Sequence, residues 1–168
     1  MTTQLLIFAP FVLLLALAAG WDLASYTIPN FISAILLVAF ALMAVTAGND
    51  AASYESHALA ALLALAAGFP LFALGYIGGG DAKLFAAVAA WFGMHDLMSY
   101  ILISSLFGGA LTVLLLMARQ WPLPAALASR SWIQKLHEPR GGIPYGIALA
   151  AGGIAILPYT EVFRAIAH

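Results

Sequence analysis

The chain alternates between long apolar runs and short polar clusters. Apolar runs cover residues 5–20, about 29–47, about 57–74, about 82–92, about 97–117 and about 143–157. A run approaching 20 apolar residues is long enough to cross a bilayer core as a helix. The pattern predicts an all-α, polytopic membrane protein with about six transmembrane helices in one domain spanning residues 1–168.

The punctuation marks the ends of these helices. Ala16-Leu17-Ala18 has the look of a signal-peptidase site, but Met1-Thr2-Thr3-Gln4 carries no positive charge, so the first run is read as a retained helix ending near Asp22. Pro29 opens the second helix, where a missing N–H costs nothing. Residues 48–56 read as a polar, acidic loop. Gly68 and Pro70 predict a kink late in the third helix. The fourth run is short, which sets the Gly78–Asp81 turn before it inside the membrane boundary or thins the bilayer there. Gly93-Met94-His95-Asp96 reads as a tight turn, and Gly108-Gly109 as a close-packing point in the fifth helix. Residues 119–141 form the one sizeable polar loop, with a short interfacial helix expected at 125–136, Trp132 and Leu136 on its apolar side.

Composition narrows the chemistry. The chain is 64% hydrophobic and 8% charged, against about 25% charged in soluble domains. A net charge of -1 gives no reason to expect nucleic acid as a partner. With no Cys, disulfides, thiol catalysis and cysteine-held metal sites are excluded. His57, His95, His137 and His168 have no metal-ligand spacing and read as interface or loop residues, so neither a metal nor a cofactor is expected.

Charge sets the expected orientation. Lys83, Arg119, Arg130, Lys135 and Arg140 fall on one side of a six-helix arrangement, and Arg164 falls on the other with Asp50 and Glu55. The side rich in Lys and Arg is cytoplasmic. Both termini are then outside, and Asp22, Asp81 and the Gly141–Gly146 turn converge at the cytoplasmic face.

Asp22 and Asp81 are therefore the candidate chemistry. A carboxylate beside a membrane core is expensive and marks a functional site by default, although both acids would also suit helix caps. Two carboxylates held close cannot both ionise cheaply and share a proton, which lets one draw a proton from water while the other hydrogen-bonds a carbonyl. No Gly-x-Ser-x-Gly elbow is present, and Ser104-Ser105 has no His or Lys at helical spacing, so among hydrolytic readings only a two-aspartate mechanism has all its parts. The competing classes are a transporter or proton-relay module using the same acids, and a structural partner in a membrane complex. A relay would need more ionisable groups across the membrane, and the interiors of helices two to six offer none.

Three segments carry a family resemblance. Gly78-Gly79-Gly80-Asp81-Ala82-Lys83-Leu84 resembles the Gly-x-Gly-Asp-x-Lys signature of type IV prepilin peptidases. Asp22 followed by Ile28-Pro29-Asn30 is similar to the family's first aspartate segment. Ile143-Pro144-Tyr145-Gly146-Ile147-Ala148 resembles the last-helix motif of its short branch, found with Flp/Tad-type pili. The resemblance covers nearly the whole chain in order. It implies a multi-pass intramembrane aspartic peptidase of the bacterial inner membrane that removes the short basic leader of pilin-like precursors at the cytoplasmic face. Asp22 and Asp81 would be the catalytic pair, supported by Gly78, Gly80, Lys83, Pro29, Asn30, Pro144, Tyr145 and Gly146. Its partners would be the precursor and membrane lipid. The methyltransferase module of larger members has no counterpart here. Many relatives carry a cation two positions after the first aspartate; this chain has Ala24. Lys83 reads either as that cation's substitute or as a positive-inside anchor, and Pro144 and Tyr145 either as a substrate grip or as helix-start chemistry.

Overall fold

A computed structural model of the chain describes residues 2–46, 51–124, 126–139 and 141–167. The described residues are helical with no strand. In order they form α1 (Thr2–Ser25), α2 (Asn30–Thr46), α3 (Ala51–Ala73), α4 (Gly79–Ala118), α5 (Ser131–His137), α6 (Tyr145–Ile156), a 3-10 turn (Leu157–Tyr159) and α7 (Glu161–Ala167). Three of them hold stretches long and apolar enough to cross a membrane, in Phe8–Ser25, Tyr54–Ala73 and Gly79–Ala118. Asn30–Val45 and Tyr145–Tyr159 are shorter apolar stretches.

α4 organises the rest. A straight helix of 40 residues would be about 60 Å long, twice the bilayer core. Gly93 breaks it with φ 65 and ψ -177, backbone that a residue with a Cβ adopts poorly. The arm at 79–92 and the arm at 94–118 fold back on each other: Phe85 and Tyr100 stack with ring centroids 5.6 Å apart, and Ala89 packs with Leu97. The expected four-residue turn at 93–96 is thus a single glycine. His57, expected in a loop or interface, is a buried residue of α3 whose Nδ1 lies 2.8 Å from the Ala90 carbonyl oxygen. A Cβ on Gly93 would come within 3.1 Å of its ring.

Around this hairpin, α3 packs along both arms of α4, α6 lies against α4 and α1, and α2 bridges α1 and α4. The core joins Phe8, Phe11 and Leu15 of α1, Ile32 and Leu36 of α2, and Trp91, Phe92 and Tyr100 of α4. Trp91 Nε1 donates to the Leu36 carbonyl at 3.0 Å, so the indole is buried without leaving its N–H unpaired. The outer faces are apolar too: Leu42, Leu62, Leu106 and Leu114 are exposed, as expected where lipid is the solvent.

Several boundaries differ from the sequence pattern. α1 runs past Asp22 to Ser25. α3 begins at Ala51, so residues 51–56, expected as loop, are helical; residues 48–50 of that loop, and residue 47 at the expected end of the second helix, lie outside the described residues. α3 runs as one helix through Gly68 and Pro70 and ends in a Schellman cap, with Gly75 at φ 79, Gly75 N–H donating to Phe72 O and Tyr76 N–H to Leu71 O, both at 2.9 Å. Gly78–Asp81, expected as a turn, is an N-cap and the first helical turn of α4. The interfacial helix is seven residues, Ser131–His137, with Leu136 half-buried and Trp132 exposed. α7 was not legible as an element; Asp96 Oδ2 accepts its first N–H, from Glu161, at 2.8 Å.

Candidate active site

The two acids meet at one end of the hairpin. Asp22 lies one turn before the end of α1 and Asp81 in the first turn of α4. Both are buried, at 4% and 9% exposure. The Gly146 N–H at the start of α6 lies beside both carboxylates. That N–H donates to Asp22 Oδ2 at 2.8 Å. Asp81 Oδ2 accepts from the N-cap Gly78 N–H at 3.0 Å, the half of a capping box that a glycine N-cap allows. Asp81 Oδ1 is buried with no hydrogen-bond partner among the described residues.

Glycine is what allows this approach. A Cβ on Gly146 would lie 2.7 Å from Ile28 Cδ1 and 2.9 Å from Asp22 Oδ2. A Cβ on Gly80 would lie 2.9 Å from Ile28 Cβ, and one on Gly78 3.0 Å from Asp81 Oδ2. Three segments separated in sequence, around Asp22–Ile28, Gly78–Asp81 and Gly146, therefore pack on one another because Gly80 and Gly146 lack side chains, while Gly78 leaves room for the Asp81 carboxylate of its own segment.

The other expected site residues divide. Lys83 Nζ donates to Asn30 Oδ1 at 2.8 Å, tying α4 to the start of α2, and Pro29 precedes that start. Pro144 is fully buried at the N-cap of α6, which fits helix-start chemistry. Tyr145 lines a groove that Asp81 also lines: a Cβ on Gly108 would touch its ring at 3.4 Å, and its hydroxyl lies 3.5 Å from Thr112 Oγ1.

Two cations have structural roles at the site that sequence reasoning missed. Arg119 donates to three backbone carbonyls, Leu136 at 2.9 Å, Gly141 at 2.9 Å and Gly142 at 2.8 Å. It holds the strap leading into Pro144 and Gly146. Lys135 Nζ donates to the Ser25 carbonyl at 3.0 Å and sits 4.9 Å from the Tyr26 ring centroid. Tyr26 has φ 58, an uncommon conformation for a residue with a side chain. Burial raises the Tyr26 phenol above its ordinary value, opposed by the Arg119 charge, so it stays protonated at neutral pH. Ala24 itself is exposed, and the cations near the end of α1 come instead from the loop.

An apolar groove of about 620 Å³ opens beside the acids, between α3, the second arm of α4 and α6, with Asp81 on its wall. Among the described residues no three His, Asp or Glu side chains gather where an ion could be held.

Fold and site define a helical membrane protein with two buried carboxylates brought together at one end of the helix assembly. A sequence model described as the type IV leader peptidase family matches residues 9–113, more than half of the chain, and the chain belongs to that family. Both acids lie within the matched residues, and Gly146 lies beyond them. A search of the curated proteins and a search of the solved structures found no match.

Proposed function

We propose that this protein is an intramembrane aspartic endopeptidase, one transmembrane unit of about six passes, that removes the short basic leader of pilin-like precursors of the Flp type. Family membership supports a leader peptidase. The observation that carries the aspartic mechanism is the meeting of Asp22 and Asp81 at the Gly146 N–H. One carboxylate takes a proton from water as it attacks the scissile carbonyl. The other, protonated, hydrogen-bonds that carbonyl oxygen, and the first then passes the proton it took from water to the leaving amine as the C–N bond breaks. Inside a water-poor site these interactions are stronger than in bulk water.

The cut falls where a helix is weakest. A peptide bond inside a helix is shielded by its own hydrogen bonds, and glycine weakens a helix by about 1 kcal/mol relative to alanine. A glycine between leader and apolar helix would present an accessible bond at the membrane boundary. The Lys/Arg bias of the site end favours the cytoplasmic face of the inner membrane.

The test uses purified protein and a pilin-like precursor. Asp22→Asn and Asp81→Asn should each lower cleavage by about 10²- to 10⁴-fold, the usual worth of a positioned proton-transfer group, while membrane insertion is unchanged. The product's mass should equal that of the free amino terminus even with S-adenosylmethionine present. Near-native turnover in either variant rules out the two-aspartate mechanism, and an added methyl group rules out a peptidase-only enzyme. A proton-relay module, the competing reading, would leave the precursor whole.

A further inference from the structure

The groove beside Asp81 is shaped for a helix. On its wall, Ile101 and Val113 of the second α4 arm are twelve residues apart, a span of about 18 Å. Each helix that lines it contributes small residues, Ala67 and Gly68 from α3, Gly108 and Gly109 from α4 and Ala148 from α6, among larger ones such as Leu71 and Phe85. A Cβ built on Gly109 would meet nothing within 4 Å. In lipid, where apolar contact alone gives no preference between a helix and an acyl chain, small residues favour helices because they let two backbones approach closely.

A second observation says what the occupant must carry. Asp81 lines this groove, is 9% exposed, and its Oδ1 has no hydrogen-bond partner among the described residues. An acyl chain offers nothing to that oxygen. A peptide whose helix is locally open offers a backbone N–H, or a carbonyl when the acid is protonated. Resting on the peptidase reading above, we infer that the groove between α3, the second arm of α4 and α6 is the lateral docking site of the precursor's apolar helix. The helix enters sideways from the bilayer, lies along Ile101–Val113, and sets its opened bond at Asp81. Asp22, on the far side of Gly146, is reached only by the backbone at that bond.

The absence of native Cys makes the placement testable with single thiols in the full chain. In an Asp22→Asn background, which keeps the precursor uncut, Ser105→Cys and Gly109→Cys report the groove. Leu106→Cys reports the neighbouring face, which is 69% exposed and outside the groove. Each variant is placed in proteoliposomes with a pilin-like precursor bearing one thiol in its apolar helix. Oxidation should join Ser105→Cys and Gly109→Cys to the precursor at about tenfold the yield of Leu106→Cys, through the raised local concentration of the two thiols. In the otherwise native enzyme, Gly109→Phe should raise KM about tenfold with kcat nearly unchanged, and its thermal unfolding should match the parent because the side chain fills open space. Equal adduct yields at all three positions, as a groove filled only by lipid would give, overturn the docking site; so does a native KM for Gly109→Phe. If those results come with precursor cleavage that needs both acids, the docking site fails and the peptidase stands. If the parent enzyme leaves the precursor whole, the peptidase reading fails and the docking site goes with it.

Discussion

At the scale of single residues, the site depends on atoms that are missing. Asp22 accepts from the Gly146 N–H because nothing stands between α1 and α6 there. Gly146→Ala would push a methyl into Asp22 Oδ2 and Ile28, overpacking that costs about 1–3 kcal/mol. Stability should fall by that amount. Activity should fall further, by about 10²-fold, because a shift near 1 Å at a reacting group has that effect. Gly20→Ala is the control, since a Cβ there meets nothing within 4 Å; inside α1 it should leave activity unchanged and cost no stability. Equal activity in the two variants would show that the Asp22–Gly146 contact is not part of the working site. The acids themselves were legible from sequence, because a carboxylate beside an apolar run is costly enough to stand out. Arg119 was legible only as a topological charge. Its partners are three carbonyls, and every residue has a carbonyl, so no pattern marks the acceptors.

At the scale of elements, the working parts are a hairpin and a strap. Sequence periodicity located both arms of α4 but placed a four-residue turn where one glycine suffices; a run of apolar and small residues hides a single change of backbone sign. Gly93→Ala combines a positive φ, which costs a residue with a Cβ about 1–2 kcal/mol, with a contact of 3.1 Å to the buried His57 ring. It should lower stability in detergent by at least that amount, read as a lower midpoint of thermal unfolding. An unchanged midpoint would mean that the arms reverse direction without the glycine. The strap at 136–142 depends on Arg119. Arg119→Met removes all three bonds to it, and cleavage should drop about tenfold as the Gly146 N–H loses its fixed position. Arg119→Lys should recover only part, because a single ammonium cannot reproduce the guanidinium fork. Full recovery with lysine would show that charge alone matters at this position.

At the scale of the whole molecule, the distribution of charge orients the site. Lys83, Arg119 and Lys135 all contact the end that holds the acids. Arg164 lies with α7, whose first residue is bound by Asp96 close to the hairpin's turn, at the opposite end of α4. A protein inserted by the usual bias keeps its Lys- and Arg-rich end in the cytoplasm. On the proposed reading, a precursor leader with basic residues would be held on that side by the same bias, and site and leader would meet without either crossing the bilayer. The first arm of α4, about 21 Å long at 1.5 Å per residue, is shorter than the bilayer core of about 30 Å. On the proposed orientation this would hold Asp81 below the plane that a full-length helix would reach, where a bond at the head of an apolar helix would lie. Orientation can be read directly, because the chain has no native thiol. A membrane-impermeant thiol reagent applied to intact cells should label Glu55→Cys and leave Arg130→Cys unlabelled; inverted vesicles should give the reverse. Labelling of Arg130→Cys from outside would place Asp22 and Asp81 on the face away from any cytoplasmic leader, and the leader-peptidase reading would then have to be abandoned whatever the distance between the acids.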